Sequence, residues 1–78
     1  MIKKIERLIV AFYSTHDAMA FEDYCKKNDI SGRLIPLPGE ISAGCGLSWS
    51  ASPDDSGAVK DALDASGVKP QEMRVLFV

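Results

Sequence analysis

Residues Leu34–Leu47 place the strongest restriction on what this chain of 78 residues can fold into. Their sequence, LIPLPGEISAGCGL, contains two prolines and three glycines. Proline fixes φ and lacks an amide hydrogen, whereas glycine accepts positive φ and lets other groups approach the backbone closely. We therefore expect a loop here, with Cys45 held between two residues that lack side chains, Gly44 and Gly46. If the protein performs chemistry, Cys45 is the first candidate for it.

Composition limits the class of partner. The hydrophobic share of 46% supports one small core, and we expect one domain over residues 1–78. The net charge is −2 and the basic residues are dispersed, which argues against nucleic acid or an acidic membrane surface as the main partner. No apolar run approaches the roughly 20 residues that span a bilayer, and the run near the amino terminus is too short for a signal peptide. These features predict a cytoplasmic protein.

The first half of the chain has the pattern of a strand, a helix and a second strand. The continuous apolar run Arg7–Tyr13 is typical of a central strand. Ser14 or Thr15 can cap the helix that follows. Pro36 removes a hydrogen-bond donor from the extended segment Arg33–Leu37, so this segment should be an edge strand. The predicted buried stripe of the helix consists of Ala18, Phe21 and Cys25, with Met19 and Tyr24 at its sides.

The second half has the pattern of a strand, a helix and a last strand. Alternation of apolar and polar residues predicts a strand over Gly46–Ser50. Ser52–Asp55 combine a capping residue, a proline and two acids, which is typical of a helix start. Gly67 suits the position after this helix, and the last strand should cover Met73–Val78, preceded by Pro70. The predicted apolar face of the helix consists of Ala58, Val59, Ala62, Leu63 and Ser66.

The order β-α-β-β-α-β predicts a ferredoxin-like plait of the α+β class. In this fold a four-stranded antiparallel sheet carries two helices on one face. Its usual strand order, 4-1-3-2, places the second strand at an edge, in agreement with Pro36. The first strand then ends, and the third strand begins, at the same rim of the sheet.

At that rim the segment Ser14–Asp17 should lie near the loop Gly39–Gly46. The free amides and the positive end of the first helix would then point toward Cys45, with His16 beside it. Both would favour the thiolate, which is the nucleophilic form of cysteine. The backbone amides beside the glycines would be available to bind an anion. We therefore expect Cys45 to be an accessible, activated thiol.

Simpler interpretations of the same residues stay open. Cys45 could fit a tight bulge as a small apolar residue, and His16 could be a surface or capping residue. Glu40, the acid nearest the proposed site, would oppose thiolate formation. Cys25 is assigned to core packing, and Trp49 to packing of a strand against a helix. With no CxxC pair and a single histidine, we expect no metal, unless a dimer shared ligands, and no cofactor.

The segments Ser14–Ala18 and Arg33–Leu47 together resemble the DUF3343 family of small bacterial proteins, which are described as selenium/sulfur carrier-like. The residues that carry the resemblance are STHDA and RLIPxPxxISxxCGL, and the likeness extends over nearly the whole chain. It implies that Cys45 holds a sulfur or selenium atom as a persulfide or selenylsulfide, and that His16 belongs to the site. The residues that would present Cys45 are Pro36, Pro38, Ile41 and Ser42 by this resemblance, and Gly44 and Gly46 by their lack of side chains.

The leading interpretation is a small relay domain with no independent turnover. Cys45 would take the atom from a donor persulfide and pass it to a partner protein, which is a sulfur or selenium donor or acceptor. A homodimer is left open. The second interpretation is a non-catalytic interaction or regulatory module that binds another chain through the loop and an exposed edge strand. A thiol redox sensor is a third.

Overall fold

A computed structural model describes residues 5–39, 41 and 46–77. Their elements are β1 (Glu6–Phe12), α1 (Thr15–Lys27), β2 (Arg33–Pro36), β3 (Leu47–Ala51), a 3₁₀ turn (Pro53–Asp55), α2 (Ser56–Ser66) and β4 (Pro70–Phe77). The strands form one antiparallel sheet in the order β2-β3-β1-β4. This arrangement confirms the predicted α+β class, the ferredoxin-like order of elements and the edge position of the second strand.

Helix α1 begins with the cap that its sequence predicts. Of the two predicted candidates, Ser14 is the capping residue, and its hydroxyl accepts a hydrogen bond of 3.1 Å from the amide of Asp17. The bond satisfies one of the amides that the first turn of a helix leaves without a partner. At the other end, the Asn28 amide donates to the Tyr24 carbonyl. The buried residues of the helix are the predicted ones, Ala18, Phe21 and Cys25.

A 3₁₀ turn, which is tighter than an α-helical turn, precedes helix α2 where the sequence pattern indicates the start of the helix itself. Ser52 accepts from the amide of Asp54, but Pro53–Asp55 form a 3₁₀ turn, and the α-helix begins at Ser56. The helix ends at Ser66 and is capped by Gly67, whose φ of 76° is the left-handed conformation that glycine adopts without strain. The prediction that Ala58 is part of the apolar face is wrong, because Ala58 lies at the margin of a narrow stripe and is exposed. The buried residues of α2 are Val59, Ala62 and Leu63.

Strand β4 begins earlier than the sequence pattern indicates. It starts at Pro70, which was expected to precede the strand, and pairs there with Phe12 next to an irregularity in the β1 register. Proline is tolerated at this position because it is the first residue of an edge strand, where a missing donor breaks no central ladder. Both edge strands of the sheet therefore contain a proline, Pro36 in β2 and Pro70 in β4.

The larger core lies between the sheet and the two helices. Its centre is aromatic: Phe21 of α1 lies 5.6 Å from Phe12 and 5.4 Å from Trp49, the second pair edge to face. Trp49 is buried, as predicted for a strand residue packed against a helix. Gly32 permits this packing, because a Cβ atom at Gly32 would lie only 2.5 Å from Nε1 of Trp49.

A smaller core covers the other face of the sheet. Ile9 and Ala11 of β1 are fully buried there against Ile41, and Ile35 and Leu37 pack at the border. Residues alternate between the two faces of a strand, so these contacts lie opposite α1 and α2. This second layer of packing explains why β1 is apolar without interruption from Leu8 to Phe12, although the helices lie on one face only.

Candidate functional site

The loop between β2 and β3 is closed at its base by a backbone hydrogen bond. The amide of Leu37 donates to the carbonyl of Gly46 at 2.9 Å, one position beyond the last ladder pair, Pro36 with Leu47. Gly46 has a φ of 74°, which a residue with a side chain rarely adopts. The glycine after Cys45 in the sequence is therefore required by the backbone geometry at the base of the loop.

Ile41 fastens the loop to the sheet. Its side chain is buried against Ile9 and Ala11, and its amide donates to the carbonyl of Pro38 at 3.1 Å. Burial of an isoleucine side chain contributes about 1.5–3 kcal/mol relative to its exposure to water. Among the predicted loop residues, Ile41 thus has a clear structural role, while Pro36 is exposed at the end of β2 and Pro38 is half-buried.

Three of the predicted site residues lie outside the described residues: Cys45, Ser42 and Gly44. Glu40, the acid expected to oppose thiolate formation, lies outside them as well. The geometry of the site is therefore given by its two flanks, which are the base of the loop and the first turn of α1.

The first turn of α1 presents its polar residues to solvent. The side chain of His16 is 91% exposed, and its Nδ1 atom lies 3.9 Å from a carboxylate oxygen of Asp17. Thr15 is also exposed. Within the described part of the chain, no hydrogen bond or ion pair joins His16 to the loop. The imidazole of His16 is therefore exposed to solvent at the start of α1. The hydroxyl of Ser14 is already engaged in capping that helix.

The predicted meeting of strand ends at one rim is confirmed by the register. Ala11 pairs with Ser48, so the end of β1, which leads into α1, lies beside the start of β3. Ile41 and helix α1 nevertheless pack on different faces of the sheet.

Cys25 lies in an environment that makes its thiol unreactive. It is fully buried in the aromatic core, as predicted, and burial raises the pKa of its thiol to about 11. Loss of water around the sulfur disfavours the charged thiolate. Since the thiolate is the nucleophile, Cys25 is unreactive at neutral pH while the protein is folded.

The sequence analysis missed a second polar feature on the loop side of the sheet. An open cavity of about 520 Å³ is lined by Ile5, Arg7, Arg33, Ile35 and Ser50. The signal was present in the sequence as residues two apart, Arg7 with Ile9 and Arg33 with Ile35, which place each arginine on the face of an apolar neighbour. It could not be recognised without the strand register, because the arginines are distant in the chain.

The chain matches the family described as "Putative Se/S carrier protein-like" over residues 7–74. It belongs to this family. The resemblance predicted from the helix start and the loop is confirmed by this match, which includes both segments. No curated protein and no solved structure matches the chain. A functional assignment can therefore be based on two observations. One is membership of the Se/S carrier-like family, and the other is the geometry of the rim where β1 ends and β3 begins.

Two further observations concern the described residues alone. Neither α1 nor α2 is long and apolar enough to cross a membrane. Over residues 5–39, 41 and 46–77, no group of three or more histidine, cysteine, aspartate or glutamate residues is arranged to hold a metal ion.

Proposed function

We propose that the protein carries a sulfur or selenium atom on Cys45 and delivers it to a partner protein. The observation that supports this most strongly is the family match over residues 7–74, which includes Cys45 and the loop around it. The chain has two cysteines, and the other one, Cys25, is buried in the core with a raised pKa. Cys45 is thus the thiol left for the chemistry that the family description names.

The transfer needs no external oxidant or reductant. The thiolate of Cys45 attacks the outer sulfur of a donor persulfide, a new S–S bond forms to Cys45, and the donor S–S bond breaks with its electron pair on the donor sulfur, which leaves as a thiolate. A donor that holds selenium in the outer position would react in the same way and leave an S–Se bond on Cys45. Delivery is the reverse step with an acceptor thiolate.

The flanks of the site have separate roles in this proposal. Gly46 supplies the positive φ at the base of the loop, and Ile41 anchors the loop to the sheet. The amino end of α1 contributes a partial positive charge at the same rim, which favours a thiolate over a thiol. His16, fully accessible beside it, would contact the partner or assist proton exchange with the leaving thiolate.

Loading of the protein by a cysteine desulfurase tests the proposal. The reduced protein is incubated with the desulfurase and cysteine, and its intact mass is measured without reductant. We expect a gain of one sulfur atom in the native protein and in Cys25→Ala, and no gain in Cys45→Ala. Absence of the adduct from all three proteins, or an adduct that persists in Cys45→Ala, would contradict the assignment.

One observation favours the second candidate, an interaction module. Strand β4 is an edge strand of eight residues with two exposed apolar side chains, Val75 and Phe77. Within the described part of the sheet its outer edge pairs with no strand, and such an edge can receive a strand of another protein. A partner that still binds Cys45→Ala, but loses affinity when Val75 is replaced by lysine, would favour the module over the carrier.

A further inference from the structure

The cavity on the loop side of the sheet lies where three strands meet. Arg33 of β2 is opposite Ser50 of β3, and Ser50 is opposite Ile9 of β1, so these residues form one row across the face. Arg7 of β1 reaches the same place diagonally, because its Nε atom donates a hydrogen bond of 3.0 Å to the Ser50 hydroxyl. Strand β3 lies between β1 and β2, and neighbouring strands are about 4.8 Å apart, so the backbones of the two arginines are roughly 10 Å apart, a distance that two long side chains lining one cavity can bridge.

The cavity contains hydrogen-bond donors in excess. Arg7 uses Nε for Ser50, and its two terminal nitrogens have no partner among the described residues. The guanidinium group of Arg33 makes no hydrogen bond or ion pair with any described residue. The Ser50 hydroxyl accepts from Arg7, and no bond that it donates is found in the described part of the chain, so its hydrogen also remains available.

The charges of this cavity differ from those elsewhere on the protein. On the same face, Arg74 forms an ion pair of 3.0 Å with Glu72. On α1, Lys26 and Lys27 pair with acids one turn earlier. The chain has more acidic than basic residues, 11 against 9, yet no described carboxylate pairs with Arg7 or Arg33. Two positive groups that line one cavity without a counter-charge repel each other, and an anion between them would relieve that repulsion.

We propose that this cavity binds a small organic anion. Its phosphate or carboxylate group would be held by the guanidinium groups of Arg7 and Arg33 and by the Ser50 hydroxyl, because the planar guanidinium donates two parallel bonds to such oxygens. The apolar part of the ligand would lie against Ile5 and Ile35, which line the rest of the cavity. This assignment does not depend on the chemistry proposed for Cys45.

Titration with three probes tests the proposal and identifies the anionic group. Phenyl phosphate, benzoate and inorganic phosphate are added to the ¹⁵N-labelled protein, and binding is followed by the amide shifts of residues around Ser50. We expect phenyl phosphate or benzoate to bind saturably and more tightly than inorganic phosphate, since only the first two have an apolar body. The stronger of these two shows whether the site prefers phosphate or carboxylate.

Matched arginine variants decide whether the cavity is the binding site. Arg33→Gln should weaken binding of the preferred probe at least about tenfold, the loss expected for one charged hydrogen-bond partner. Arg33 is exposed, so this variant should fold, whereas the half-buried Arg7 serves as the second test in Arg7→Gln. Arg74→Gln removes the same charge from the same face outside the cavity and should change the affinity less than about twofold.

Three results would overturn the proposal. The first is the absence of saturation by every probe up to about 10 mM, which corresponds to a free energy too small for a specific site. The second is an equal loss in Arg33→Gln and Arg74→Gln, which would show only a diffuse effect of net charge. The third is equal affinity for phenyl phosphate, benzoate and inorganic phosphate, which would remove the role assigned to Ile5 and Ile35.

Discussion

The two faces of the sheet are built from different chemistry. The helix face buries large aromatic side chains, with Phe12, Phe21 and Trp49 in contact under α1 and α2. The loop face has small and polar residues at its centre, including the buried Ser48 and Ser50. The loop covers one end of this second face through Ile41 and Leu37, and the arginine cavity occupies the other end.

This difference separates stability from function within one small sheet. The helix face contributes most of the buried apolar surface, and its cysteine, Cys25, is inaccessible to solvent. The loop face supplies the anchor of the loop that contains Cys45 and a cavity with unpaired donors. Strand β1 belongs to both, because alternate residues face each side. Substitutions on the helix face should therefore change folding, whereas substitutions on the loop face should change chemistry and binding first.

The largest effect is expected from Phe21→Ala on the helix face. Phe21 is fully buried between Phe12 and Trp49, so its removal leaves a cavity that the surrounding rings cannot fill. The free energy of unfolding in urea should fall by about 3–5 kcal/mol, a large part of the total stability of a small domain. A loss below about 1 kcal/mol would show that the aromatic cluster does not dominate the core.

Gly32→Ala should be the next largest, again through the helix face. The new Cβ atom would lie 2.5 Å from Nε1 of Trp49 and 2.7 Å from the Ser50 carbonyl oxygen, and Gly32 has a φ of 128°. Crowding and backbone strain together should lower the free energy of unfolding by about 2–4 kcal/mol.

The matched control for Gly32 is Gly57→Ala. Gly57 lies in α2 with no other atom within 4 Å of the Cβ position, and its φ is not in the left-handed region. Alanine there should raise the free energy of unfolding by about 0.5–1 kcal/mol because it favours the helix. Equal effects at the two glycines would contradict the close contact between Gly32 and Trp49.

Ile41→Ala addresses the loop face and should have a smaller effect on stability. Ile41 packs with Ile9 and Ala11 in the smaller core, where fewer buried side chains surround it than surround Phe21 in the larger one. We expect a loss of about 2 kcal/mol in the free energy of unfolding. The rate of Cys45 alkylation should change by a larger factor in Ile41→Ala than in a helix-face variant of equal stability loss, such as Leu63→Val. The same change in both would count against a separate role for the loop face.

The last effect is absent at neutral pH and is a dependence of stability on alkaline pH that arises from Cys25. Its folded pKa of about 11 lies above the value of about 8.5 for a free thiol, so the folded state keeps the proton over the interval between them. Stability from the buried thiol is therefore complete below about pH 8.5 and declines as the pH rises toward 11. In a Cys45→Ala background, the stability advantage of Cys25 over Cys25→Ala should shrink over this interval. Parallel pH profiles would show that Cys25 is not buried as a neutral thiol.

The sequence was sufficient to predict the order of elements, the edge position of β2 and the core of α1. These depend on local signals: the proline in β2, the Ser14 cap and the spacing of Phe21 and Cys25. Element ends were less accurate, because a 3₁₀ turn precedes α2 and because Pro70 fits the first position of an edge strand. The conformational preference of proline does not by itself predict which strand of a sheet, or which position in that strand, the residue will occupy.

The site was predictable in part. The register confirmed that the end of β1 and the start of β3 share a rim, since this follows from topology. The sequence did not predict that Ile41 and α1 pack on opposite faces of the sheet. This separation depends on which face of the folded sheet can accommodate the Ile41 side chain. The arginine cavity was missed for a related reason: Arg7 and Arg33 meet through the pairing of β1, β2 and β3, which no local pattern records. The reactivity of Cys45 remains a prediction.

The central claim is that one of the two cysteines is a reactive carrier and the other is a core residue. The direct test measures the alkylation rate of each cysteine by iodoacetamide in the native protein between about pH 5 and 10, with peptide mapping to separate them. We expect Cys45 to react with an apparent pKa below about 8.5, and Cys25 to react only after unfolding in urea. A Cys45 that is inert in the native protein, or that titrates at or above about 8.5, would contradict the account.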